Sequence, residues 1–165
     1  MKPDHIRAQD AAYAEAVADA RYLLRRAFRL IDEEARKVGL GALEHQLIVQ
    51  LRGAASLTYS VSDLAVRLDV QLNLVSRIAT ELEKRNLVVR ERSASDGRVT
   101  LVRATPEAVN LARRVAERIR PHFDNLQAEF SLERRKRALE IWAQNFGIPV
   151  VIPEEEGMHK HARRK

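Results

Sequence analysis

The chain has 165 residues, about one domain's worth, and 29 Lys and Arg against 23 Asp and Glu leave a net charge of +6, which favours a polyanionic partner. It contains no cysteine, which excludes disulfides, thiol redox sensing, cysteine catalysis and thiolate metal sites, and its 5% aromatic content argues against a stacking platform for single-stranded nucleic acid. The longest apolar run, Ile148 to Ile152, is broken by Pro149, and no signal-peptide pattern follows Met1, so no membrane partner and a cytoplasmic location are expected.

Apolar residues recur at three- and four-residue steps through Tyr13, Val17, Ala20, Leu24, Ala27, Ile31, Ala35 and Val38. They predict one long helix over 10–38, ended by Gly39 in the left-handed region. Leu43, Leu47, Ile48 and Leu51 predict a short helix ending near Gly53, and 54–59 reads as a loop. Ser60, three residues before Asp63, has the form of a capping box and opens a helix from Val61 to about Leu68. A second helix follows from Leu72 to about Arg85. Between them Asp69 stands where a turn needs a residue tolerant of positive φ.

This pair reads as a helix-turn-helix, with Leu64, Leu68, Val70, Val75 and Ile78 as its apolar set and Ala65 at the crossing. Asn73, Ser76, Arg77, Thr80 and Lys84 face outward on the second helix, and Asn86 is suited to its C-terminal cap. Leu87–Arg92 and Arg98–Arg103 read as short strands around Ser93–Gly97, where Asp96-Gly97 signals a hairpin. A basic hairpin directly after a helix-turn-helix is a wing. Thr105-Pro106-Glu107 starts a helix reaching about Phe130, with Pro121 expected to bend it; Phe123, Leu126 and Phe130 continue its apolar stripe. Ser131 opens a last helix carrying Leu132, Ala138, Leu139 and Trp142 and ending at Gly147. The expected fold class is therefore mainly α with a small β-hairpin wing.

Short polar side chains and Arg on the first half of a recognition helix suit base edges in a major groove. Asn73, Ser76, Arg77 and Thr80 meet that need, although a solvated helix face has the same composition. Arg98 at a narrow wing tip suits a minor groove, with Asp96 placed to hold its guanidinium. Arg90, Arg92 and Arg103 read as phosphate contacts or as solvated strand charges. The run Arg134-Arg135-Lys136-Arg137 reads as a solvated helix face, and His159 and His161 lack partners at ligand spacing, so no metal is expected. No phosphate loop, nucleophile motif or paired carboxylates appear; neither enzyme activity nor a cofactor is expected.

The order of elements resembles the MarR family of bacterial winged-helix regulators. The resemblance rests on Val61-Ser62-Asp63-Leu64-Ala65, Val75-Ser76-Arg77, Leu82-Glu83-Lys84-Arg85-Asn86-Leu87-Val88, Ser95-Asp96-Gly97-Arg98 and Ala104-Thr105-Pro106-Glu107. Asn86 replaces the family's usual Gly, Gln71-Leu72 stands where Ser-Pro is frequent, and Ala108 stands where Gly is common.

The resemblance implies an N-terminal dimerisation helix over 1–40, a winged helix-turn-helix DNA-binding domain over 41–104, C-terminal dimerisation helices over 105–147 and a tail over 148–165. It implies a homodimeric repressor on a pseudo-palindromic double-stranded operator, with Asp96 and Arg98 acting at the wing. It also implies release by a small aromatic or phenolic effector, with Tyr22, Arg26 and His45 on the first two helices where that family builds its pocket, although the same residues serve equally well in a dimer interface; the basic charge beyond the DNA-binding part also admits the CoA thioester of an aromatic acid. A winged-helix module that binds protein rather than DNA is the alternative.

Overall fold

Three helix ends among the described residues are made by residues suited to the left-handed region. Gly39 takes φ 81° after the first helix, while Asp69 and Asn86, at φ 52° and 57°, end the two helices of the helix-turn-helix. Short polar side chains tolerate this left-handed region better than bulky ones. Ser60 caps the third helix by accepting from the Asp63 N–H at 3.0 Å. Thr105 caps the fifth, accepting from the Ala108 N–H at 3.3 Å while its hydroxyl faces the Leu87 carbonyl at 3.1 Å.

The computed structural model describes residues 3–128 and 131–146. Its elements are α1 (Pro3–Lys37), α2 (Ala42–Gly53), β1 (Thr58–Ser60), α3 (Val61–Leu68), α4 (Leu72–Lys84), β2 (Val88–Arg92), β3 (Thr100–Ala104), α5 (Pro106–Ala128) and α6 (Leu132–Phe146). α1 starts seven residues before the expected position 10, at Pro3, a residue well suited to a first helical turn. Pro121 lies inside the continuous α5. The expected apolar contributions of Leu126, Phe130 and Trp142, the stop at Gly147 and the tail over 148–165 fall outside the residues, or side chains, described.

The expected loop over 54–59 is corrected at its end: Thr58–Ser60 is a strand. It pairs antiparallel with β3, Tyr59 opposite Val102, and β3 pairs with β2, Arg90 opposite Val102, giving the sheet order β1-β3-β2. The wing strands are shifted from expectation, because the connection between them runs over seven residues, 93–99, rather than through a tight Asp-Gly turn. Gly39 is the only glycine with positive φ among the described residues, so Gly97 does not supply the left-handed residue that a two-residue hairpin needs.

The described residues form two units. One comprises Ala27–Asp124, with a continuous core. Leu40, Leu47, Ile48, Leu51, Leu64, Val75, Leu82, Val88, Val102 and Val115 are its fully buried large side chains. α2, α3, α4 and α5 each contribute several residues to this core, β2 contributes Val88, and β3 contributes Val102 and Ala104. Arg85 braces α4, donating to Glu44 at 2.9 Å and to the Gly39 carbonyl at 2.6 Å. Glu44 in turn accepts from the Gly41 N–H at 2.8 Å and so closes the first turn of α2.

The same unit holds a buried acid that composition did not reveal. Glu34 on α1 is 3% exposed and receives Lys37, Arg118 at 2.7 Å and His122 at 3.3 Å. The Lys37 hydrogen bond, reinforced by Arg118, outweighs burial and holds the Glu34 carboxyl at about 2.

The other unit takes in the described residues up to Arg26 and from Asn125 on. Small side chains let its helices approach: Ala16 and Ala20 on α1 and Ala138 and Ala143 on α6 are buried. The expected stripe is displaced accordingly, with Tyr13 exposed. Arg134 grips Asp19 with two hydrogen bonds of 2.9 Å and lies 3.6 Å from Glu15, so this member of the basic run is an intramolecular partner rather than a solvated charge. Among the described residues, no helix is long and apolar enough to cross a membrane.

Candidate nucleic-acid interface

α4 is amphipathic by construction. Val75, Ala79 and Leu82 seat it on the core, which leaves Leu72, Asn73, Ser76, Arg77 and Thr80 along its outer side. Asn73 and Arg77 are exposed and Ser76 is half-buried. Gln71 caps the helix with no side-chain hydrogen bond. Arg77 has no ion-pair partner among the described residues, so its guanidinium is available to an external acceptor.

Thr80 is oriented differently from its neighbours. Its hydroxyl donates to the Ser76 carbonyl at 2.9 Å and accepts from the Arg90 guanidinium. Arg90 also faces Glu83 at 3.6 Å, and the Arg90 backbone N–H donates to the same carboxylate at 3.0 Å. Thr80, Glu83 and Arg90 thus form a joint between α4 and β2, which sets the wing relative to α4. An Arg at this position reads in sequence like any other basic wing residue; its partner ten positions earlier does not.

The wing tip is ordered by its own polar groups. The Ser93 N–H donates to the Val99 carbonyl and the Val99 N–H to the Asp96 carbonyl, both at 2.9 Å. The Asp96 carboxylate accepts from the Arg98 backbone N–H at 2.9 Å. The expected grip of Asp96 on the Arg98 guanidinium is therefore corrected: Asp96 shapes the turn in the manner of an Asx-turn, and the Arg98 side chain is exposed without an ion pair among the described residues. Arg92 donates to Thr100 at 3.2 Å across the wing, and Arg103 lies 4.0 Å from Glu91.

Of the three expected effector residues, Tyr22 and Arg26 belong to one unit and His45 to the other. Tyr22 and Arg26 pair with each other in the first-described helix, the Arg26 guanidinium donating to the Tyr22 hydroxyl at 2.7 Å. His45 is buried and lines a groove of about 330 Å³ with Phe28, Ile31, Val49, Gln50 and Leu68. Burial lowers the His45 pKa against the opposing pull of Asp32, and its Nδ1 has no hydrogen-bond partner among the described residues. Beside the groove Arg67 donates to Gln50 at 2.8 Å and stacks over the Tyr59 ring, 4.6 Å from its centroid.

Comparison with known proteins agrees with this geometry. Residues 38–99 match the model of the MarR family. Among solved structures, the chain is similar to a mutant MarR from E. coli complexed with operator DNA, with TM-score 0.64, 18% identity, and coverage of 76% of this chain and 89% of that one. It is similar to AbsC, a MarR family transcriptional regulator from Streptomyces coelicolor, with TM-score 0.63, 20% identity, and coverage of 89% and 94%. A second MarR family regulator from that organism, solved in complex with DNA, has TM-score 0.61, 20% identity, and coverage of 88% of both chains. No curated protein sequence matches the chain.

Proposed function

We propose that the chain is a homodimeric, sequence-specific double-stranded DNA-binding repressor, because residues 38–99 match the MarR family model and the fold is similar to that of regulators of that family. The observation that carries this reading is the presence of two exposed guanidinium groups without an ion pair among the described residues, Arg77 on α4 and Arg98 at the wing tip, with Thr80, Glu83 and Arg90 joining α4 to β2. Asn73, Ser76 and Arg77 face base edges, Arg98 enters the flanking minor groove, and Arg92 meets phosphate. Arg90, Thr80 and Asp96 support these contacts from within the protein. Two proteins of similar fold have been solved in complex with DNA, which supports duplex DNA as the partner.

Exposed Tyr13, Tyr22 and Leu139 support self-association through the helices over 1–40 and 105–147. The His45 groove is at the small end of ligand sites and suits a single aromatic ring, such as a phenol or aromatic acid, rather than a CoA thioester. A cytoplasmic location and the absence of enzyme activity follow from this role. The test is selection of duplexes from a random pool by the full-length protein, followed by addition of hydroxybenzoates. Enrichment of a pseudo-palindrome with half-sites about one helical turn apart is expected, with release by one of the acids. A pool that remains random after repeated rounds overturns the reading.

A further inference from the structure

α4 begins with an anomaly. The first helical position is Leu72, which is 52% exposed, and the preceding Gln71 makes no side-chain cap hydrogen bond. A Ser, Thr, Asp or Asn at the cap is the ordinary way to start such a helix. Helical spacing puts Leu72 one turn before Ser76 and beside Asn73, which itself lies one turn before Arg77. An apolar side chain therefore occupies the leading corner of a patch otherwise made of hydrogen-bonding groups.

An isolated exposed Leu needs no special explanation elsewhere on a surface. Here it lies on the face assigned to base edges. The major groove offers one apolar group for it, the C5-methyl of thymine; the other edge groups are donors and acceptors. Resting on the DNA-binding reading above, we propose that Leu72 is a specificity-determining residue that packs on a thymine methyl next to the base pair read by Asn73 or Arg77. The side chain carries no hydrogen-bonding group, so it discriminates by the presence of one methyl and by nothing else.

The test uses the full-length protein and its selected operator, with each thymine replaced in turn by deoxyuridine. Uracil keeps the pairing and the O4 acceptor and lacks only the methyl. Loss of one buried methyl corresponds to about a four-fold weaker affinity per half-site. The unmutated protein is expected to show that loss at one symmetry-related position, and Leu72→Ala is expected to bind thymine and uracil operators equally there. Because the side chain is half in water, the variant should keep its unfolding midpoint, which is measured alongside. If no thymine-to-uracil change alters affinity, or if Leu72→Ala retains the same discrimination, the proposal is wrong while the DNA-binding reading stands. If no duplex is bound with sequence preference, both fall together.

Discussion

Replacing Arg90 by Ala separates a residue that holds the wing from one that touches DNA. The substitution removes the Arg90 hydrogen bond to Thr80 and the 3.6 Å approach to Glu83. A hydrogen bond to a charged group contributes about 1.5–3 kcal/mol when buried, and an exposed ion pair about 0–1 kcal/mol. The Arg90 side chain is 31% exposed and that of Glu83 42%, so solvent screens both. Thr80 keeps its bond to the Ser76 carbonyl, and Glu83 keeps the backbone N–H of residue 90; no buried polar atom of theirs is stranded. The expected cost is therefore about 1–2 kcal/mol, read as a lower urea midpoint with unchanged m. On DNA, affinity falls as the wing loosens, but the slope of log K against log salt stays the same. A phosphate contact behaves otherwise. Two copies of Arg90 in a dimer would each contribute about 0.9 to that slope. A slope reduced by about two, with the urea midpoint unchanged, would refute the assignment of Arg90 to the joint.

Glu34→Gln tests the buried acid. Its pKa is lowered from 4.5 to about 2 in the fold, so its stabilisation is complete above 4.5 and is lost as pH falls through that interval. The variant should be less stable at neutral pH and lose less of its stability between pH 4.5 and 2; urea midpoints that drop in parallel with the unmutated protein at every pH would contradict this. Arg77→Ala should erase discrimination at one base pair, worth roughly 1–3 kcal/mol, without moving the unfolding midpoint. Equal weakening on selected and random duplexes would make Arg77 a phosphate contact. Arg98→Lys should bind A·T-flanked operators less well than Arg does, because the ammonium is more strongly hydrated. Equal affinity of the two side chains, with no preference between A·T and G·C flanks, would remove Arg98 from the minor groove.

Much of the local architecture was legible because it depends on neighbours in sequence. Ser60, Asp69, Asn86 and Thr105 act within a few residues of themselves, and the stripe through Leu64, Val75 and Leu82 needs only helical periodicity. Features depending on distant partners were not legible. β1 is three residues long, too short for an alternating pattern, and is defined by pairing with β3 more than forty residues later. Glu34 looked like one acid among many on a charged helix; Arg118 and His122, which hold it, arrive with α5.

Within the candidate site, exposure of Asn73, Arg77 and Arg98 followed from the outer positions of the helix and the tip of the wing. The inward duty of Arg90 did not, since a strand residue's side chain can be recruited by the helix that precedes it. The role of Asp96 was misread for a related reason. Two residues of separation allow either a side-chain pair with Arg98 or an Asx-turn to its N–H, and the turn wins because the wing connection needs that hydrogen bond.

The most direct measurement is the affinity of the full-length protein for its selected duplex and for a random duplex of equal length, across a series of salt concentrations. A DNA-reading dimer predicts steep weakening of both with salt, and a preference for the selected duplex of at least about a thousand-fold. Affinity that is flat in salt, or equal on the two duplexes, would contradict it and point to a winged helix that binds protein instead.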